Sequence, residues 1–433
     1  MNYFFSGSNI FFDKLSLEIG LPNVAVTNQR VNYQLSKTEL FNHKKCRSAI
    51  YDIESWSSIP PLSKKDLLKY SEVEQIYLKM ADRLGFIQSY QQRKDEYNKH
   101  LRFWNWKLTQ NNFDFAIFEN VPHEGYNYIL YSILMEKKIK VITFYQLPIR
   151  PAKTYLLQAV FDIFNHGNEI KKILLSNKFI GNKLTLKMSK KFEGYLDVSK
   201  IKANDLKSFT RNKKNTSWFH HKNIFQALHN KIRRYSISDI KKNLAMRMGY
   251  DNYLSSNRKL MKFYKQNEVT PSLQKPYIYF TFHYQPELST SPLGGVFVDQ
   301  ILACEILAFA AKRLNINVYV KEHPRGSKAQ YTKAHDIYQK LLNYSNVKFL
   351  SDKINTYKLI DNCLCASTIT GSSGWEALLR KKPVLMFGSR FYEACHGAFS
   401  VSSVDEVTKA LSSILNGNIK ITNNKINSFL IAL

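Results

Sequence analysis

The chain has 433 residues, more than one hydrophobic core usually serves, so two domains are expected. Its 44% hydrophobic and 14% aromatic content excludes a disordered polymer, and five cysteines without paired spacing (Cys46, Cys304, Cys363, Cys365, Cys395) argue against a secreted, disulfide-stapled fold. The formal net charge is +29, and no apolar run approaches the roughly 18 to 20 residues that a membrane span requires.

The first nine residues carry neither a basic lead-in nor a long apolar stretch, so a cytoplasmic chain is expected. Strand-like runs at residues 49–53, 115–118 and 141–144 alternate with helical stretches. Between residues 72 and 108, Ile76, Met80, Leu84 and Ile87, then Leu101, Trp104 and Leu108, recur at helical spacing, which predicts two helices bracketing the polar run 91–99. Alternation of this kind predicts a parallel sheet in an N-terminal α/β domain over residues 1–150. The polar loop after the strand at 115 holds Glu119, His123 and Glu124, each a candidate general base. A loop that merely caps the helix starting near Tyr126 explains the same residues equally well.

Residues 151–275 form a basic helical or connecting region, part of the N-terminal domain or between domains, with 26 Lys and Arg against 8 Asp and Glu. Such a field draws polyanions; anionic lipid on the cytoplasmic face of the inner membrane, or a phosphate-bearing lipid-linked acceptor, is the expected partner. Nucleic acid is not expected, because no reading motif is present and the candidate site loops carry Glu287, Glu322 and Glu376.

Residues 276–433 read as a doubly wound α/β domain. Strands at 277–282, 316–320, 347–350, 363–369 and 383–387 alternate with helices at 296–314, 328–343, 355–362 and 375–380. Cys363 and Cys365 alternate within an apolar run and are expected on opposite faces of a strand, unsuited to joint metal ligation. Ligands of such a domain sit beyond the carboxyl ends of the strands, and three loops there carry polar chemistry. The first holds His283, Gln285 and Glu287, then Gly294 and Gly295 at a helix start. The second is Lys321-Glu322-His323-Pro324-Arg325, a histidine between cations. The third is Thr370-Gly371-Ser372-Ser373-Gly374, with Glu376 in the helix that follows. Glycines and hydroxyls at helix starts present amides to a phosphate, and a glutamate one turn on accepts from ribose hydroxyls. Neither a P-loop nor a dinucleotide fingerprint is present.

The run from Gly371 to Val384, a Gly/Ser-rich turn, a Glu-Ala-Leu helix and a Lys-Pro-Val strand, resembles the donor-site segment of GT-B glycosyltransferases. With Lys321-Glu322-His323-Pro324 and the His-Tyr-Gln-Pro-Glu loop from His283, the C-terminal half is similar to the bacterial capsule polysaccharide biosynthesis family, which includes the β-Kdo transferases of capsule synthesis. The resemblance implies a GT-B-like fold, two Rossmann-type doubly wound domains facing each other across a cleft. The C-terminal domain would bind the donor and the N-terminal domain the acceptor. It implies a nucleotide-sugar donor, CMP-linked where the sugar is Kdo or a related acid sugar, and a hydroxyl of a capsule or surface glycan as acceptor. It further implies that His323 and Pro324 meet the donor phosphate, that Thr370, Ser372 and Ser373 form the phosphate turn, and that Glu376 holds the ribose. No cofactor or metal is expected, since cationic loops and helix ends can stabilise the leaving phosphate. The alternative is a non-catalytic polysaccharide-binding or export-assembly protein with the same fold.

Overall fold

The structure is a computed structural model that describes residues 1–28, 38–81, 89–147, 156–176, 258–260, 262–283, 288–323 and 338–433. Most of the basic region, and with it Gln285, Glu287, Pro324 and Arg325, lies outside the described residues.

Six short strands build the first sheet: β1 (Tyr3–Ser6), β2 (Val24–Thr27), β3 (Glu39–Asn42), β4 (Phe115–Phe118), β5 (Lys140–Leu147) and β6 (Leu156–Val160). Their order is β3-β2-β1-β4-β5-β6, parallel except for the antiparallel β5–β6 pair. β1 and β2 are buried along their whole length, as strands covered on both faces must be. The second sheet repeats the plan with β7 (Tyr277–Thr281), β8 (Asn317–Lys321), β9 (Val347–Leu350), β10 (Cys365–Thr368), β11 (Val384–Met386) and β12 (Ala398–Ser400). Its order is β12-β11-β10-β7-β8-β9, parallel throughout. In each sheet the first strand lies between the second and the fourth, the doubly wound order 3-2-1-4-5-6. Two such Rossmann-type domains in one chain make the GT-B architecture. The strand orders put one topological switch point at β1/β4 and the other at β7/β10.

α-Helices flank these strands. In the N-terminal domain they are α1 (Asn9–Ile19), α2 (His43–Arg47), α3 (Lys64–Lys69), α4 (Ser71–Ala81), α5 (Tyr90–Lys107), α6 (Tyr126–Glu136) and α7 (His166–Leu175). Those of the C-terminal half are α8 (Gln300–Lys312), α9 (Thr356–Asn362), α10 (Ser372–Leu379), α11 (Val404–Leu415) and α12 (Asn423–Ala432).

Three details differ from expectation. The polar run 91–99 does not separate two helices but lies inside α5, which starts at a capping box between Ser89 and Gln92. Its polarity reflects a face turned to solvent, while Tyr97, Leu101 and Trp104 are buried. The run 49–53 is not a strand. Ala49 takes the left-handed conformation at φ 51°, and Tyr51 stacks on Phe103 at 3.8 Å, so its apolar character serves the core from a turn. The two cysteines of the 363–365 run do not share a strand: Cys363 caps the end of α9 and Cys365 opens β10, so residues that a strand would put on one face are buried in different hydrophobic clusters.

The domains are joined by more than the linking chain. Residues 387–396, after β11, reach the first domain: Ser389 Oγ donates to the Ile163 carbonyl (3.3 Å), and Glu393 Oε1 accepts from Gly167 N (2.9 Å). α12 packs on α7, and the Gln158 amide donates to the Leu433 carbonyl at 2.5 Å. α4 packs against the 3₁₀ turn Gly295–Val298 that follows β7.

Candidate functional site

At the β7/β10 switch point, His283 is the centre of a polar staple. Its backbone N–H donates to Gln300 Oε1 (2.6 Å), and its ring Nε2 accepts from Ile369 N (3.1 Å) and lies 2.8 Å from Thr368 Oγ1. Thr368 Oγ1 in turn accepts from Gly371 N (3.0 Å). An Nε2 that accepts a backbone amide is unprotonated, so His283 is a buried neutral ring tying the loop after β7 to the turn after β10. Thr281 Oγ1 adds a second tie, 2.9 Å from Ser373 Oγ. The hydroxyl of Thr370 donates to the Ser289 carbonyl, and that of Tyr392 to the Gly371 carbonyl.

Packing around this staple accounts for most of the glycines. A Cβ on Gly371 would stand 2.8 Å from both His283 Cε1 and Thr368 Oγ1, and one on Gly374 only 2.4 Å from the Tyr392 hydroxyl. Gly294 makes room for the Thr290 carbonyl at 2.6 Å, and Gly295 holds φ at 54°. What remains open is the N-terminus of α10. Its N-cap, Gly371, offers no side-chain cap, and Ser372 is exposed there. One turn on, the half-buried Glu376 has its carboxyl raised above the ordinary range by burial, an effect moderated by a hydrogen bond from Ser372 and by the charge of Arg380.

The two residues after Val320 point to different partners. Lys321 is buried; its ammonium donates to the Ile354 carbonyl and to Thr356 Oγ1 (3.1 Å), and burial brings its pKa down to about 8 against the opposing pull of Asp352. Glu322 is also buried and accepts from the hydroxyls of Tyr338 and Tyr264 (3.5 Å for the latter). Both side chains are thus engaged inside the domain and not at the open end of α10. His323 follows at the partly exposed carboxyl edge. With β7 between β8 and β10, the chain at His323 and that at Ser372 leave the sheet two strand spacings apart, about 10 Å.

In the N-terminal domain the three candidate bases share one loop but have different surroundings. Glu119 accepts from the amide of Ser8 and from Ser8 Oγ (2.8 Å for the hydroxyl), so it completes the cap of α1 at the β1/β4 switch point. Glu124 Oε2 pairs with Arg47 Nε at 3.1 Å. His123 Nδ1 lies 2.7 Å from the Val121 carbonyl, which only accepts; Nδ1 therefore carries the proton, and Nε2, 3.8 Å from Glu124 Oε1, is the basic nitrogen. Beside them stands His43, whose Nδ1 is 2.7 Å from the Tyr126 hydroxyl. Burial lowers its pKa, partly opposed by Glu124 and reinforced by Arg47 and His123. His43 and Arg47 escape sequence reasoning because they follow β3, a four-residue strand with exposed positions that leaves no alternating signal. The loop is backed by α4, whose Met80 Sδ accepts from Gly125 N at 3.0 Å, and α4 itself touches the turn after β7. The two candidate loops therefore share a neighbour across the domain boundary.

Residues 292–397 match the family described as capsule polysaccharide biosynthesis protein. The matched segment lies wholly within the C-terminal half of the chain. The capsule-family segment contains the turn at Gly294 and Gly295, the run Lys321 to His323, and the turn and helix from Thr370 to Glu376, while His283 lies just ahead of it. No curated protein matches the chain. Among solved structures, it is similar to the UDP-GlcNAc 2-epimerase of Methanocaldococcus jannaschii (11% identity, 100% of this chain and 98% of that one, TM-score 0.28). It is also similar to the KpsC β-Kdo 2,4 transferase of Thermosulfurimonas dismutans (13% identity, 69% and 79%, TM-score 0.31). A third similar structure is Anabaena Alr3699/HepE in complex with UDP and glucose (12% identity, 100% and 94%, TM-score 0.31). At such scores these likenesses carry no argument, and the architecture rests on the strand orders themselves.

Proposed function

We propose that this protein is a glycosyltransferase of capsule or surface-polysaccharide synthesis that moves a sugar from a nucleotide-sugar donor to an acceptor hydroxyl. The observation that carries this is the coincidence of the capsule-family segment with the carboxyl edge of the second sheet, where α10 begins without a side-chain cap. Unsatisfied amides and the helix dipole at that point favour a phosphate. The donor phosphate sits at Ser372, the ribose hydroxyls reach Glu376, and His323, arriving from the loop after β8, assists departure of the phosphate. The staple of His283, Thr368 and Thr370 does not touch the donor; it holds the turn in shape.

On the acceptor side, His123 is the base best suited by its surroundings. Its tautomer is set by the Val121 carbonyl, and Glu124, held by Arg47, stabilises the imidazolium that forms. His123 Nε2 takes the proton of the acceptor hydroxyl as its oxygen bonds to the anomeric carbon; the bond from that carbon to the phosphate oxygen breaks, and the nucleotide leaves with the electron pair. The proton then passes to solvent. Substitution of His123 or of His323 by Ala is expected to lower kcat about 100- to 10,000-fold without unfolding the protein. Unchanged turnover in either variant removes that residue from the mechanism. One observation favours a non-catalytic, glycan-binding role instead: Glu119 and Glu124, the two carboxylates of the acceptor-side loop, are both committed to protein partners. A thermal-shift screen with CMP, UDP, GDP and dTDP separates the two, because the transferase must bind one of them.

A further inference from the structure

Lys321 belongs to the run expected to meet the donor phosphate, yet its ammonium is turned away from the open end of α10. It is 3% exposed, and it donates to the Ile354 carbonyl and to Thr356 Oγ1. Its own carbonyl accepts from Phe282 N at 3.0 Å, so the side chain leaves a backbone already fixed beside β7. An ammonium inside a protein is costly unless its donors are satisfied, and a methionine of similar length would fill the space more cheaply. The charge is therefore explained by what it holds. It holds the loop 351–355 and the first residue of α9, whose N-cap Asn355 accepts from Tyr357 N (2.9 Å) and Lys358 N (3.3 Å).

This loop is joined to the donor side. α9 is clamped to the end of α10 by Arg380, which pairs with Asp361 (2.7 Å) and covers the Tyr357 ring at 4.2 Å. α9 and α10 begin at the same edge of the sheet. The loop 351–355 therefore opens at the same edge as Ser372, on the side of β8 and β9.

We infer that Lys321 is a positioning residue for the nucleoside end of the donor, acting through the Ile354 carbonyl and Thr356 and not by contact with the phosphates. This rests on the nucleotide-sugar reading above, and the test keeps the two apart. The dissociation constants of CMP, UDP, GDP and dTDP are measured by calorimetry for the full-length protein and for its Lys321→Met and Thr356→Val variants, each checked for a cooperative thermal transition. The nucleotide that binds the unaltered protein is expected to bind Lys321→Met at least tenfold more weakly. Thr356→Val, which removes one of the two acceptors and changes no charge, is expected to weaken it several-fold. In turnover both variants raise the donor KM and leave kcat nearly unchanged, the sign of lost uniform binding. A Lys321→Met variant that binds normally overturns the inference; so does loss confined to Lys321→Met with Thr356→Val intact, which marks a direct phosphate contact. If Lys321→Met does not fold, Thr356→Val decides alone. Silence of the unaltered protein toward all four nucleotides fells the donor reading itself and the inference with it.

Discussion

His100 lies in the core of the N-terminal domain, 2.6 Å from the Tyr51 hydroxyl, and burial lowers its pKa to about 3. In the unfolded chain it titrates near its ordinary value of 6.5. Between these limits the unfolded state binds the extra proton, so its contribution to stability is full above about pH 6.5 and is lost progressively as pH falls toward 3. At pH 5 the loss is roughly 2 kcal/mol. A His100→Gln variant is therefore expected to show a shallower fall in Tm between pH 7 and 5 than the unaltered protein; parallel curves would contradict this. Gly374 offers a second test at this scale. A methyl there collides with the Tyr392 ring and hydroxyl, so Gly374→Ala should cost about 1–3 kcal/mol in denaturant unfolding through overpacking. A neutral result would leave the glycine unexplained by packing and return it to the ligand.

Among the helices, α7 shows how an element of one domain is completed by the other. Its N-cap, Asn165, makes no side-chain cap bond; instead Glu393, 8% exposed, supplies a carboxylate to Gly167 N across the domain boundary. The other carboxylate oxygen accepts from Arg390 N at 3.1 Å. Glu393→Ala is expected to lower the unfolding free energy by about 1–2 kcal/mol, the usual value of a lost cap with its dipole term. Gly167→Ala should do at least as much harm, since its Cβ would stand 2.0 Å from that carboxylate. Unchanged urea midpoints in both variants would show that the cap carries no weight.

At the scale of the whole molecule, two expectations concern ligands. A nucleotide at 100 times its Kd should stabilise the protein by about 2.7 kcal/mol, raising Tm by a few degrees in the screen described above. The excess of cations over residues 151–275 should bring the protein to anionic vesicles at low salt and release it by about 0.5 M salt, with no binding to neutral vesicles. Equal sedimentation with both kinds of vesicle would exclude an electrostatic cause. No helix among the described residues is long and apolar enough to cross a membrane.

The sequence by itself marked five of the six strands of the C-terminal sheet, β12 excepted, because they are apolar runs followed by polar turns, and that pattern is local. It was silent on β1, β2 and β3, and with them on the β1/β4 switch point where Glu119 caps α1, a pairing of residues 111 apart that no local pattern records. It also marked which loops carry polar residues, but not what each side chain does. Lys321 and Glu322 are neighbours in sequence; their partners are Ile354 and Thr356 for one, Tyr338 and Tyr264 for the other. Successive residues of an extended chain leave on opposite sides, and what waits there comes from remote parts of the chain. Those roles were decided only by tertiary packing, since hydrogen bonds between distant residues leave no trace in local pattern.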